Sequence, residues 1–107
     1  MKSIITAVIA IVLMSCTPTY ASQDLCQVQA KVAETTMHSR QIGVPMYQMM
    51  KLVEEIEFEP VRDIARYITI ESYEVPMYNS VEYKERAKSE FSNKIYKLCN
   101  KVLQRKK

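Results

Sequence analysis

Three cysteines and one histidine are the side chains of this 107-residue sequence best suited to covalent or metal chemistry. Cys16 lies within the first 21 residues, which we do not expect to belong to the folded domain. Cys26 and Cys99 therefore remain as a pair. An even number of cysteines in an exported chain predicts a disulfide, and two buried free thiols are the alternative. The pair does not form a Cys-x-x-Cys motif, so we do not expect it to catalyse thiol exchange.

Metal and catalytic sites need more partners than the chain offers. A metal site usually has three or four ligands, and a catalytic nucleophile needs a base and an orienting group beside it. His38 is the chain's only histidine, and the two remaining cysteines are expected to be bonded to each other. The sequence therefore predicts no metal, no cofactor and no enzymatic activity. We expect His38 to be an exposed residue near a helix end, within reach of Glu34.

Tyrosines and basic residues are the better candidates for a binding surface. Tyrosine is common at protein interfaces; three tyrosines surround one predicted turn, and three lysines recur at helical spacing further along. Arg40 begins an Arg-x-x-Gly pattern, and we expect it to bind an anion, to pair with acidic residues or to cap a helix C terminus. The candidate partner surface comprises Arg40, Tyr73, Tyr78, Tyr83, Lys94, Lys97 and Lys101.

Charge is unevenly distributed along the chain. Residues 54–74 contain seven acidic residues and two arginines, whereas residues 82–107 contain nine basic residues and three acidic ones. Such a field favours an unknown protein partner or electrostatic contact with a membrane surface or cell envelope. The basic residues have no interleaved aromatic platform, so we do not expect binding to nucleic acid.

The first 21 residues have the pattern of a secretory signal peptide. Lys2 precedes an uncharged apolar run, residues 4–14, and Thr19-Tyr20-Ala21 ends the segment with small residues at two spaced positions. This pattern predicts a periplasmic or secreted protein whose mature chain is a single helical domain, residues 22–107, without a transmembrane segment. Leu13-Met14-Ser15-Cys16 also resembles a lipobox, which would make the product a lipoprotein anchored through Cys16.

Helical periodicity predicts four helices in the mature chain. They run from about 24 to 39, from 45 to 55, from 60 to 72 and from Asn79 or Ser80 onwards. Gly43 is expected to adopt the left-handed conformation that often follows a helix. The predicted inner faces include Leu25, Val28, Val32 and Thr36, beside Cys26, Ala33 and Met37, in the first helix, and Ala87, Phe91, Ile95, Leu98, Cys99 and Val102 in the last.

Methionines dominate the short second helix. We expect Met46, Met49 and Met50 to fill the core or, with Tyr47, to form an adaptable binding surface.

The two cysteines restrict how these helices pack. Cys26 begins the first helix and Cys99 lies near the end of the last, so an antiparallel arrangement brings the two together. We therefore predict an all-α fold, a small bundle of three to four helices whose first and last members are antiparallel and joined by a disulfide.

Several short motifs resemble a group of small exported proteins of proteobacteria and their phages. The shared features are a signal peptide, the Arg40-x-x-Gly43 turn, Tyr73 at the end of the middle helix and the pair Cys26 and Cys99. The resemblance implies the same helical architecture and supplies no catalytic or binding residues. A weaker similarity, limited to the cysteine pair, is to periplasmic acid-stress chaperones.

The functional prediction is a non-catalytic exported protein that binds another protein. An acid-stress chaperone is one alternative, since carboxylates lose their charge at low pH. An inhibitor or immunity protein against an envelope enzyme is the other, because such proteins bind through complementary fields.

Overall fold

Four helices make up most of the part of the chain that the structure describes, and no strand occurs there. The computed structural model describes the backbone of residues 22–105 and the side chains of residues 25–105. The predicted signal peptide, the lipobox cysteine Cys16 and the last two lysines lie outside the described residues. The helices are α1 (Ser22–Gln41), α2 (Met46–Glu54), α3 (Glu59–Tyr73) and α4 (Val81–Arg105). The predicted all-α class and the approximate helix bounds are confirmed.

The C terminus of α1 is closed by a Schellman motif. The Val44 N–H donates to the carbonyl of Ser39 at 3.0 Å, and the Gly43 N–H donates to that of Arg40 at 3.1 Å. Gly43 has φ +89°, the left-handed conformation in which a side chain would be strained. The predicted role of this glycine is confirmed, and the turn reverses the chain into α2.

Ser80 caps the N terminus of α4. The Tyr83 N–H donates to the Ser80 Oγ at 3.1 Å, which satisfies one of the backbone donors left free in the first turn. Asn79 and Ser80 are the two residues predicted at the start of this helix, and Ser80 is the one that caps it.

Helices α1 and α4 run antiparallel and are joined at one end by a disulfide between Cys26 and Cys99. Their sulfurs are 2.06 Å apart and their Cα atoms 5.4 Å apart. Cys26 is fully buried and Cys99 nearly so. Closer to the middle of the helices, the Ser92 hydroxyl donates to the Ala30 carbonyl at 2.9 Å. The predicted antiparallel pairing and its disulfide are confirmed.

The core lies where α3 packs across the α1–α4 pair. Its large side chains come from all three helices, and α1 and α4 each contribute a small alanine, Ala33 and Ala87, that allows close approach. Buried hydroxyls on α1 and α3, such as that of Thr69, donate to carbonyls of their own helix, so they cost little to bury. The core consists of Ala33, Met37, Ile68, Ala87, Phe91 and Ile95, with Val75, Tyr78 and Leu98 packed at its edge.

The inner face of α1 differs from the prediction. Leu25, Val28 and Val32 are 49%, 59% and 41% exposed, whereas Ala33 and Met37 are fully buried. An apolar stripe that covers half of a helix does not specify which edge faces the core. Here the disulfide fixes the rotation of α1 and leaves the other edge at the surface.

α3 runs antiparallel to α4, with an ion pair between them. The Lys94 ammonium lies 3.0 Å from the Glu71 carboxylate. Glu90 stands one turn before Lys94 in α4, yet Lys94 pairs across the bundle, because spacing along one helix does not reveal the neighbouring helix. Within α4, the Arg86 guanidinium lies 3.4 Å from the Glu82 carboxylate.

α2 packs on the outer side of α3. The Arg66 guanidinium lies 2.7 Å from the Glu54 carboxylate, and this hydrogen bond lowers the pKa of Glu54 and raises that of Arg66. Val53 is the buried residue of α2, whereas Met46 is exposed. Met49 and Met50 are half-buried, and most of the other residues of this helix are exposed. The methionines of α2 therefore lie at the margin of the bundle, and Met37 of α1 is the one in the core.

Candidate functional site

Side chains at the end of α1 hold the turn between α3 and α4 in place, and Lys84 of α4 binds the end of α1 itself. Gln41 is only 2% exposed. Its Nε2 donates to the Pro76 carbonyl at 2.9 Å, and its Oε1 accepts from the Tyr78 N–H at 2.9 Å. The Lys84 ammonium donates to the Gln41 carbonyl at 2.7 Å, where a cation also complements the C-terminal end of α1. We call this set of contacts the turn clamp, and it fixes the backbone that carries Tyr78.

Arg40 and Tyr73 support the same turn. The Arg40 Nε donates to the Val75 carbonyl at 3.0 Å, and its guanidinium lies 5.3 Å from the centre of the Tyr73 ring. The Tyr73 hydroxyl donates to the Val44 carbonyl at 2.5 Å. Burial raises the pKa of Tyr73, and the charge of Arg40 opposes that rise.

Arg40 lies in the last turn of α1, where a cation complements the C-terminal end of the helix, which is one of the roles expected from its sequence pattern. Its Nε donates to a carbonyl of another segment, Val75. Among the described residues it forms no ion pair with the acidic middle segment. Arg40 therefore serves to hold the turn.

A groove lies between this turn and the first half of α4. Tyr78 and Tyr83 line it as a pair, with ring centres 5.9 Å apart and planes tilted by 37°. The Arg86 guanidinium lies 5.3 Å from the centre of the Tyr83 ring, as in a cation–π contact. The groove, which we call the aromatic groove, has a volume of about 400 Å³ and is lined by Val75, Tyr78, Tyr83, Arg86, Ala87, Glu90, Phe91 and Lys94.

The floor and rim of the aromatic groove differ in polarity. Its floor is apolar because Ala87 and Phe91 are core residues. Its rim carries Arg86, Glu90 and Lys94. Such a surface can take an apolar side chain at its centre and polar groups at its edge, which is the usual anatomy of a protein interface.

Two further lysines extend the basic rim along α4. Lys97 and Lys101 follow Lys94 by three and seven residues, so they lie on the same side of the helix. Both are exposed, and neither forms an ion pair within the described residues. Lys94 is less available than these two, because the half-buried Glu71 holds it.

The structure brings together part of the predicted partner surface. Tyr78, Tyr83 and Lys94 line one groove, and Lys97 and Lys101 lie beyond it on the same helix. Arg40 and Tyr73 do not line the groove; they support the turn that forms one of its walls.

Sequence reasoning missed two residues of the site. Arg86 follows Tyr83 by three residues, a spacing that places both on one side of a helix and could have indicated their contact. Gln41 gave no signal in the sequence, because its partners lie 35 and 37 residues away.

His38 is exposed, and Glu34, its suggested partner, lies instead 3.6 Å from Lys31. Among the described side chains, residues 25–105, no three of His, Cys, Asp or Glu come close enough to hold a metal ion. No helix in that range has an apolar stretch long enough to cross a bilayer.

Comparisons of the chain with protein-family models, with curated proteins and with solved structures found no match.

Proposed function

We propose that this chain is an exported, non-catalytic interaction protein that binds another protein through the aromatic groove. The partner inserts an apolar side chain into the groove beside Tyr78 and Tyr83, over Ala87 and Phe91. Acidic groups beside that side chain meet Arg86 and the lysines of α4. An inhibitor or immunity protein of an envelope enzyme would be one case of this function, distinguished by the identity of its partner.

The observation that supports the proposal is the tyrosine pair over an apolar floor. Tyr83 is 51% exposed although it stacks with its neighbour, so a large aromatic surface faces solvent at a fixed position. Tyrosine and arginine are the residue types that contribute most often to binding free energy at interfaces. The turn clamp supports the binding surface, because a groove held rigid loses little entropy when a partner binds.

Export is part of the same proposal and rests on the sequence of residues 1–21 together with the disulfide. Structural disulfides persist in oxidising compartments and are rare in the cytosol of most organisms. The resemblance to small exported proteobacterial and phage proteins points the same way.

Affinity capture with a matched pair of variants tests the function. The chain is expressed with its own leader and recovered from the envelope fraction, and mass spectrometry identifies its N terminus. Wild type, Tyr83→Ala and Tyr47→Ala serve as baits; the control residue, on α2, is 62% exposed against 51% for Tyr83. We expect wild type and Tyr47→Ala to retain one protein that Tyr83→Ala loses, with an affinity at least about 30-fold lower, as for a hot-spot residue.

Three outcomes would contradict the proposal. The first is the absence of any retained protein at low and moderate ionic strength. The second is equal retention by Tyr83→Ala. The third is capture of many unrelated proteins at low pH alone, which would favour the acid-stress chaperone.

A further inference from the structure

The disulfide-linked end of the bundle carries a second, more apolar groove. It has a volume of about 460 Å³ and opens between the start of α1, the start of α3 and the end of α4. The bridge residue Cys99 and the core residues Ile68 and Ile95 lie at its base. Its outer wall is formed by Leu25, Ile64, Tyr67, Leu98, Val102 and Leu103, of which Leu98 and Leu103 are half-buried and the others exposed.

We propose that this end of the molecule, the apolar pole, docks on an anionic lipid surface. The inference does not depend on the partner proposed for the aromatic groove. Tyr83 and Val102 are 19 residues apart on α4, which corresponds to about 28 Å along a helix. A bundle docked on lipid through the apolar pole would therefore present the aromatic groove away from the surface.

Charge at the rim identifies lipid as the occupant. Lys101 and Arg105 flank Val102 and are exposed, and two further lysines follow Arg105 in the sequence. Asp63 is the only carboxylate in the described lining, and it lies 3.0 Å from the Arg66 guanidinium, which it shares with Glu54. An apolar surface with cations at its edge suits a bilayer interface, where apolar groups enter the headgroup region and cations meet lipid phosphates.

The same charges disfavour a second copy of the chain as the occupant. In a two-fold symmetric dimer the same patch lies on both sides of the interface. Lys101 and Arg105 would then face the lysines and arginines of the other copy, and like charges oppose association. An anionic lipid surface instead attracts Lys101 and Arg105, so this repulsion between like charges does not arise.

Vesicle co-sedimentation tests the docking. Protein expressed with its own leader, in a Cys16→Ser background that excludes lipidation, is mixed with phosphatidylglycerol-containing vesicles or with pure phosphatidylcholine vesicles. Val102→Glu is compared with Val81→Glu, since both valines lie on α4 and are 51% and 76% exposed. We expect binding to the anionic vesicles to fall at least tenfold in Val102→Glu and to remain unchanged in Val81→Glu.

Charge variants measure how much the basic residues at the rim contribute to vesicle binding. Lys101→Gln with Arg105→Gln should weaken binding about 25-fold, since each basic residue near an anionic surface contributes roughly fivefold. Lys31→Gln, which removes an exposed cation elsewhere on α1, should have little effect.

A fluorescent reporter keeps the test valid if a glutamate variant fails to fold. The chain contains no tryptophan, so Tyr67→Trp places a single one in the apolar pole and Tyr47→Trp places one on α2. Brominated lipids should quench the first and not the second. Binding equal in both vesicle types, equal loss in both valine variants, or equal quenching of both tryptophans would overturn the proposal, as would a dimer in solution that Val102→Glu dissociates.

Discussion

Loss of the Cys26–Cys99 bridge is expected to lower the free energy of unfolding by about 4 kcal/mol. The bridge closes a loop with a sequence separation of 73 residues. In the chain-entropy model, cross-linking a loop of this length reduces the entropy of the unfolded chain by roughly 15 cal/mol/K, or about 4.4 kcal/mol at 25 °C. Replacement by alanine also leaves small voids in a buried site, and these add to the loss.

This loss is large compared with the stability that a domain of this size can have. A chain of about 80 residues is typically stable by roughly 4 to 12 kcal/mol. With a urea m value of about 1 kcal/mol/M, the unfolding midpoint should fall by about 4 M. A protein near the lower limit would already be unfolded without denaturant.

Urea unfolding followed by circular dichroism measures the effect in Cys26→Ala, Cys99→Ala and the double variant. The two single variants and the double variant should lose nearly the same stability, because all three remove one bond. Reduced wild type is the matched control and should resemble the single variants. A midpoint shift below 1 M, or losses that add in the double variant, would refute the reasoning.

Three further predictions concern the groove and its support. Gln41→Leu should lower the free energy of unfolding by about 2 kcal/mol, because Pro76 and Tyr78 lose backbone hydrogen bonds in a partly buried turn; urea unfolding measures it. Ser80→Ala should cost about 1 kcal/mol through loss of the N-cap of α4, whereas Ser80→Asp should not. Burial raises the pKa of Tyr73 in the folded state above its usual value of about 10. The neutral hydroxyl therefore stabilises the folded protein fully below about pH 10, and this contribution is lost as the pH rises through the folded-state pKa. Urea midpoints between pH 9 and 12 should fall less steeply in Tyr73→Phe.

The helices could be predicted because residues within each helix, or directly beside it, indicate where it begins, ends and faces the core. Gly43 ends α1, and apolar residues recur at helical spacing in α4. The two cysteines then selected the antiparallel arrangement of α1 and α4, since a bridge joins the start of one helix to the end of the other only in that geometry.

Contacts between distant segments are what the sequence could not reveal. The exposed edge of α1, with Val28 and Val32, looks as apolar as the buried one. Lys94 has a carboxylate at Glu90 in its own helix but pairs with one on α3. Arg40 and Tyr73 are predicted to lie on a partner surface, yet their observed hydrogen-bond partners are backbone carbonyls, which no side-chain pattern indicates.

The turn clamp has a consequence for how binding specificity could be redesigned. The path of residues 74–78 is held by side chains of Arg40 and Gln41, which belong to α1. The path of the loop therefore depends largely on residues outside it. Exposed positions such as Met77 should accept random substitution with little effect on the backbone, so this loop is suited to display a library of binding sequences.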